Sequence, residues 1–223
     1  MTFKLFISAI LKFSLGVLLV GALIFLPAGT LAFSGGWLLM GILFIPMFIA
    51  GIIMMIKNPM LLASRLDAKE KEREQSAVVK LSGLMFILGF VLAGLDYRFE
   101  WIKLPFTVNI IATVIFIVAY ILYAEVLREN TYLSRTIKVV DGQKVVSTGL
   151  YGIVRHPMYF ATLLLFMSMP LVLGSLVSFV IFLAYPFIIA ARIKNEEEVL
   201  CRELDGYKEY REKVKYRMLP FIW

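Results

Sequence analysis

A charge-free stretch runs from residue 13 to residue 56 and reads FSLGVLLVGALIFLPAGTLAFSGGWLLMGILFIPMFIAGIIMMI. Lys12 and Lys57 bound it, and no charged side chain lies between them. A helix needs about 20 apolar residues to cross a bilayer, so the stretch is long enough for two spans joined by a turn at 28–36. It predicts a protein built from helices that cross a membrane.

The composition of the whole chain agrees with this prediction. Of its 223 residues, 61% are hydrophobic and only 17% are charged, which excludes an ordinary soluble domain. We therefore predict an all-α, polytopic transmembrane protein. About six spans are expected, at 11–33, 36–56, 77–95, 104–125, 157–173 and 176–192. The first is longer than the roughly 7–15 apolar residues of a cleavable signal, so we expect it to be retained.

The spans divide the chain into an N-terminal four-span region, 1–127, and a C-terminal region, 128–223, within a single integrated membrane domain. The C-terminal region holds a connecting loop, a short helical hairpin and a tail. Leucines and tyrosines recur at helical spacing along the tail, which predicts one amphipathic helix over 192–216. In the connecting loop, two β-rich runs within 137–146 flank an Asp-Gly turn and predict a small hairpin or folded loop.

The first loop between spans begins with Asn58 and Pro59. Asparagine suits a helix N-cap and proline the first helical position, so a short interfacial helix is expected to start there. The charged segment 67–75 that follows is expected to be a solvated connector.

The positive charges predict the orientation in the membrane. If the N-terminus is cytoplasmic, all of the 23 Lys and Arg residues except Arg98 and Lys103 fall on the cytoplasmic side. Cytoplasmic loops carry an excess of Lys and Arg, so we expect both termini of this multi-pass protein in the cytoplasm. Topology and anionic lipid headgroups then explain the net charge of +7, and no nucleic-acid partner is expected.

The content of cysteine and histidine limits the metal chemistry. Cys201 is the single cysteine and His156 the single histidine. An intramolecular disulfide and any multi-cysteine metal site are therefore excluded, and we expect no metal.

His156 lies in the segment 149–159, GLYGIVRHPMY. Pro157 suits the first position of a helix because its missing N–H would be unpaired there, which puts His156 at or next to the N-cap. The free N–H groups of residues 158–160 would then form a small anion-binding site beside Arg155, His156 and Tyr159.

A second group of polar residues opens the tail. Arg192 and Glu196 are four residues apart and therefore share a helix face, and Glu197 follows directly. By itself this pattern is also typical of a charged helix on the membrane surface, with ion pairs Glu198–Arg202 and Glu209–Lys213.

The two groups together resemble a known family. The residues that carry the resemblance are Arg155, His156, Pro157 and Tyr159; Arg192, Glu196, Glu197 and Leu200; Gly206, Tyr207 and Tyr210; and the closing Leu219-Pro220. In this order and spacing they resemble the isoprenylcysteine carboxyl methyltransferase (ICMT) family and the related phospholipid N-methyltransferases, over about 130–223. Similar C-terminal halves occur in membrane sterol reductases that use a nicotinamide cofactor.

The resemblance implies S-adenosylmethionine as cofactor, bound at the cytoplasmic end of the last spans under the connecting loops and the tail helix. The cofactor-binding residues that it implies are Gly149, Tyr151, Arg155, His156, Pro157, Tyr159 and Glu196. The catalytic residues that it implies are Arg192, Glu196 and Glu197.

The implied methyl acceptor is a hydrophobic or lipid-like molecule, such as an isoprenylcysteine carboxylate, a phospholipid amine or a thiol. An ionised carboxylate needs no base and would be oriented by Arg192, whereas an amine or thiol would make Glu196 or Glu197 the proton acceptor. The alternatives are an NADPH-dependent membrane reductase of the sterol-reductase type and a non-enzymatic membrane transport or interaction protein.

Overall fold

The computed structural model describes residues 3–66, 73–134 and 139–223. These residues form helices and loops without a strand, which confirms the predicted all-α class. In chain order the helices are α1 (Phe3–Ala28), α2 (Ser34–Lys57), α3 (Pro59–Leu66), α4 (Arg73–Phe99), α5 (Phe106–Glu129), α6 (Pro157–Val172), α7 (Leu176–Phe182), α8 (Tyr185–Glu203) and α9 (Tyr207–Lys213). A 3₁₀ turn (Gly149–Gly152) precedes α6.

Five helical segments of the described chain are long and apolar enough to cross a membrane. They are Lys4–Ala28, Ser34–Lys57, Ser76–Phe99, Phe106–Glu129 and Leu176–Glu203, the last of which combines α7 and α8. α6 is apolar but has only 16 residues. At 1.5 Å per residue it extends about 24 Å, less than the roughly 30 Å of a hydrocarbon core. The predicted six spans therefore appear as five long segments and one short helix.

The first span lies earlier than predicted. α1 begins at Phe3, includes Lys4 and Lys12, and ends at Ala28, whereas the apolar run indicated 11–33. Lys12 does not interrupt the helix, and its ammonium group donates to the carbonyl of Leu66 at 2.6 Å.

The prediction of one tail helix over 192–216 is wrong. Arg192 belongs to α8, which starts within the apolar hairpin and continues to Glu203. The chain then turns, and α9 begins only at Tyr207. Leu204 caps α8 in an extended conformation. Gly206 is the N-cap of α9 and has φ +81°, a left-handed conformation that glycine adopts without strain.

The predicted loop elements are partly described. α3 begins at Pro59 as expected, and the Asn58 side chain accepts a hydrogen bond from the backbone N–H of Leu61 at 3.1 Å. Of the segment 67–75, residues 67–72 lie outside the described residues. Of the segment 137–146, residues 137 and 138 lie outside them too, and 139–146 form a folded loop in which Gln143 N–H donates to the carbonyl of Val140 at 3.0 Å.

The core of the bundle fixes α6 through aromatic packing. Phe166 of α6 meets Phe86 and Tyr185 with ring centroids 4.8 and 4.7 Å apart, and Phe182 is fully buried beside them. Phe182 approaches α4 at Gly89, where an added Cβ would overlap the ring. Because interiors are packed this closely, the helix cannot rotate freely and its N-terminal end has a defined position.

The far end of the hairpin is held by polar groups. The Asn109 amide donates to the carbonyls of Leu171 and Val172 at 3.1 and 3.2 Å. The hydroxyl of Ser175 donates to the buried carboxylate of Asp96 at 2.5 Å. These bonds satisfy buried polar groups between helices. They fix the position of α6 at its C-terminal end, opposite the end that carries Arg155 and His156.

Candidate functional site

A cavity lies at the N-terminal end of α6, between α8, α9 and the loop that follows α5. It encloses about 800 Å³ when the open space at its mouth is counted. Its lining residues are Asn130, Tyr132, Leu133, Ser134, Gln143, Lys144, Val145, Val146, Tyr151, Arg155, His156, Met158, Tyr159, Arg192, Glu196, Leu200, Leu204, Tyr207 and Tyr210.

Gly149 does not line the cavity, but it supports the turn that carries one of the lining residues. It has φ +50°, and an added Cβ would lie 2.7 Å from Cδ of Glu129. The Glu129 carboxylate accepts hydrogen bonds from the Thr148 hydroxyl at 2.9 Å and the Leu150 N–H at 3.2 Å. The absence of a side chain at Gly149 therefore lets Glu129 secure the 3₁₀ turn.

This turn delivers Tyr151 to the cavity. The Tyr151 hydroxyl accepts a hydrogen bond from the Asn130 amide at 3.0 Å, and the Tyr151 carbonyl accepts one from the Tyr210 hydroxyl at 2.7 Å. Burial raises the pKa of both phenols, so both are neutral at physiological pH. Tyr151 thus presents a fixed aromatic face.

The start of α6 agrees with the sequence prediction, and two of the three backbone N–H groups that were expected to bind an anion already have a partner within the helix. Pro157 is the first residue of α6 and His156 is its N-cap. The N–H groups of Tyr159 and Phe160, however, both donate to the His156 carbonyl, at 3.1 and 3.3 Å. The N–H groups of Tyr159 and Phe160 are therefore paired with the N-cap carbonyl and do not face the cavity as free donors.

The side chains of Arg155 and His156 meet at one carboxylate, Glu197 of α8. Glu197 is only 2% exposed. It accepts from Arg155 Nε at 2.6 Å, lies 3.3 Å from His156 Nε2, and accepts from Arg217 Nε at 3.0 Å. A buried carboxylate needs such partners because an unpaired buried charge is costly.

Arg155 also binds the segment that follows α9. Its guanidinium donates to the carbonyls of Val214 and Lys215 at 2.7 and 2.8 Å. The backbone N–H groups of Arg155 and His156 donate to the carbonyls of Tyr216 and Arg217 at 2.9 and 2.7 Å. Residues 214–217 therefore hold the N-terminal end of α6 in place.

Arg192 and Glu196 are joined by Tyr159. Arg192 Nε donates to the Tyr159 hydroxyl at 2.8 Å, and this hydroxyl donates to the Glu196 carboxylate. All three residues line the cavity. The two sequence segments that were predicted to work together thus meet in one hydrogen-bonded chain.

The predicted site residues divide into two groups. Those that line the cavity are Tyr151, Arg155, His156, Tyr159, Arg192 and Glu196; Gly149, Pro157 and Glu197 support it from behind. Glu196 and Glu197 are adjacent in sequence, but a helix rotates about 100° per residue, so they face different neighbours.

Sequence reasoning assigned no site role to Asn130, Tyr207, Tyr210 or Arg217. Tyr207 and Tyr210 are spaced three apart, which puts them on one face of α9. The signal for Arg217 is weaker, because its partner lies 20 residues away in sequence. Among the described residues, no group of three or more His, Cys, Asp or Glu side chains is arranged to hold a metal ion.

Part of the chain is similar in sequence to known proteins. A region of the chain is 28% identical to a Delta(14)-sterol reductase of Mus musculus over 91 residues, which is 40% of this chain and 22% of that protein. The chain thus spans about a fifth of the length of this curated relative. Residues 110–202, which include the start of α6 and most of α8, match the isoprenylcysteine carboxyl methyltransferase (ICMT) family. The predicted resemblance to the ICMT family is confirmed over residues 110–202, whereas Gly206, Tyr207, Tyr210 and Leu219-Pro220 lie outside the match.

Proposed function

We propose that the protein is an integral-membrane methyltransferase that uses S-adenosylmethionine and acts on a hydrophobic or lipid-like acceptor. The observation that carries the proposal is the chain Arg192–Tyr159–Glu196, which lines one cavity and lies within the family match. Five apolar helical segments support a position in the membrane.

The residues present fit this cofactor. Glu196 offers a carboxylate for its ammonium group, and Arg155 and His156 offer donors for its carboxylate. Tyr151 offers an aromatic face for the base or the sulfonium. Gly149 and Pro157 shape the turn and the helix start that carry these side chains. When bound, S-adenosylmethionine supplies an electrophilic methyl group.

In this proposal the protein orients the acceptor and excludes water from the reacting groups. Arg192 orients an anionic acceptor and offsets the cost of removing it from water. If the acceptor is an amine or a thiol, Glu196 takes its proton, because it lines the cavity whereas Glu197 is bound to three basic side chains. We therefore assign Glu197 a positioning role.

We further propose that the cavity opens at the cytoplasmic boundary of the membrane, with both termini on that side. The support is the distribution of Lys and Arg residues. Only Arg98, near the end of α4, and Lys103, in the loop between α4 and α5, would lie on the opposite side. A soluble cofactor and a membrane-borne acceptor would meet there.

Cofactor binding tests the proposal directly. Purified protein in detergent is heated with S-adenosylmethionine, S-adenosylhomocysteine or NADPH, and the unfolding midpoint is followed. We expect stabilisation by the first two, since a ligand that binds only the folded state raises its stability. Stabilisation by NADPH alone would instead identify a reductase.

The acceptor is found by transfer of label. Membranes that contain the protein are incubated with S-adenosylmethionine that carries a radioactive methyl group, and lipids, peptides and thiols are extracted separately. We expect label in a hydrophobic fraction, and its absence with Glu196→Gln.

A further inference from the structure

A second hollow lies behind the candidate cavity, on the opposite side of Arg155. Its lining residues are Arg155, Arg211, Lys215, Tyr216, Arg217, Ile222 and Trp223. It encloses about 800 Å³ including open space, and it is wider and more open than the first. We call it the basic hollow.

Among the residues that the structure describes, the charged side chains that line the basic hollow are all cations. Arg155 and Arg217 share the single carboxylate of Glu197, which lies beneath and does not line the hollow. Arg211 and Lys215 are exposed at its rim. The Glu197 carboxylate cannot neutralise four cationic side chains, so these side chains leave an excess of positive charge that favours an anionic ligand.

The apolar side of the basic hollow indicates what kind of anion. Trp223 packs against the core of the helical bundle, and its ring lies 5.3 Å from the Arg217 guanidinium. Next to it, Phe221 and Ile222 are 84% and 78% exposed. Exposed aromatic and aliphatic side chains beside basic residues are typical of a segment at the membrane interface.

We propose that the basic hollow binds the headgroup of an anionic phospholipid. The phosphate pairs with Arg217, Lys215 and Arg211, while Phe221 and Ile222 lie against the acyl chains. The assignment goes beyond methyl transfer, because it concerns a different surface and a lipid that is not consumed.

Lipid titration of the purified full chain tests this proposal. The protein in a neutral detergent is supplied with dioleoylphosphatidylglycerol, with dioleoylphosphatidylcholine or with inorganic phosphate. The unfolding midpoint is measured, and bound lipid is counted by native mass spectrometry. We expect phosphatidylglycerol to raise the midpoint and to remain bound, and we expect the other two to do neither. Salt should weaken the effect.

A pair of double variants locates the site. Arg211→Ala with Lys215→Ala removes two cations from the rim, and should weaken phosphatidylglycerol binding roughly 30-fold, since each basic residue near an anionic lipid surface contributes about 1 kcal/mol. Lys208→Ala with Lys213→Ala removes the same charge from α9, but neither residue lines the hollow, so binding should stay as in the wild type.

Four outcomes would overturn the proposal. An equal loss in both double variants would mean that general surface charge attracts the lipid. Equal stabilisation by inorganic phosphate would identify a free anion as the ligand, and equal binding of phosphatidylcholine would remove the role of charge. A rim variant that binds phosphatidylglycerol like the wild type would exclude the hollow. Because Arg211 and Lys215 are exposed, both variants should fold, and their midpoints without lipid check this.

Discussion

At the scale of single residues, the two neighbouring glutamates are distinguished by what surrounds them. Glu197 is buried among Arg155, His156 and Arg217. Glu196 instead lines the cavity and accepts a hydrogen bond from the Tyr159 hydroxyl. Sequence alone left both as candidates for the same role. The difference arises from side chains that are distant in sequence, so no local pattern could reveal it.

This difference predicts that one amide substitution lowers stability and the other abolishes stabilisation by the cofactor. Glu197→Gln leaves buried cations without a counter-charge and should reduce the free energy of unfolding by about 3–5 kcal/mol. Glu196→Gln should leave the unfolding midpoint nearly unchanged but abolish its increase with S-adenosylmethionine. Thermal unfolding with and without cofactor measures both effects. Equal loss of stability in the two variants would contradict the separation of roles.

Tyr207 gives a second prediction at this scale. It is 4% exposed, and its hydroxyl is a buried polar atom without a hydrogen-bond partner among the described residues. The carboxylates of Glu197 and Glu196 add to the effect of burial in raising the pKa of this phenol. Because a buried unpaired hydroxyl costs about 1–3 kcal/mol, Tyr207→Phe should raise the unfolding midpoint by a few degrees, at about 2–4 °C per kcal/mol.

Tyr210→Phe is the matched control, three residues later in the same helix. The Tyr210 hydroxyl donates to the carbonyl of Tyr151, so its removal leaves that buried acceptor unpaired and should lower the midpoint. If both substitutions lower the midpoint, the Tyr207 hydroxyl has a stabilising partner and the prediction fails.

At the scale of elements, hydropathy predicted the transmembrane helices well and their ends poorly. The first four apolar runs each became a long helix because nothing in the bilayer competes with internal hydrogen bonding. The prediction for the tail was wrong because charges at helical spacing continue past 203, whereas α8 ends at Glu203 with Leu204 extended, and Gly206 starts α9 in a left-handed conformation. The spacing of residues shows which of them share a helix face, but it does not show where the helix ends.

The site could be predicted only where its residues form local motifs. The helix start at Pro157 and the pair Arg192 and Glu196 were found in this way, whereas Gly149 and Tyr151 were named only through the family resemblance. Asn130 and Arg217 reach the site through contacts 21 and 20 residues away in sequence. Such contacts depend on the packed structure, so residue spacing carries little information about them.

The 3₁₀ turn provides a prediction with an internal control. Gly149→Ala introduces both a strained φ and an overlap with Glu129, whereas Gly142→Ala, at φ +74°, meets no atom within 4 Å. Strain alone costs roughly 1–2 kcal/mol. We therefore expect Gly149→Ala to lower the unfolding midpoint more than Gly142→Ala does, and to weaken cofactor binding because Tyr151 moves. Calorimetric titration measures the affinity, and equal effects would exclude a role for Glu129.

At the scale of the whole molecule, the charge distribution predicts which surface meets the cytoplasm. In a Cys201→Ser background, Lys103→Cys should react with a membrane-impermeant maleimide added to intact cells, because it lies between α4 and α5. Asp141→Cys, in the exposed loop before the 3₁₀ turn, should react only after the membrane is opened. The reverse labelling pattern would invert the proposed orientation.

The shared carboxylate of Glu197 also has a consequence for biosynthesis. Arg155 precedes Glu197 by 42 residues and the carbonyl of Val214 by 59. When Arg155 leaves the ribosome, its guanidinium therefore lacks these partners, because the chain that carries them has not yet emerged. The pocket can close only after α8 has folded back and residues 214–217 have followed it out of the ribosome. Its maturation is thus ordered in time, and a pause in translation between residues 155 and 214 would extend the life of an open intermediate.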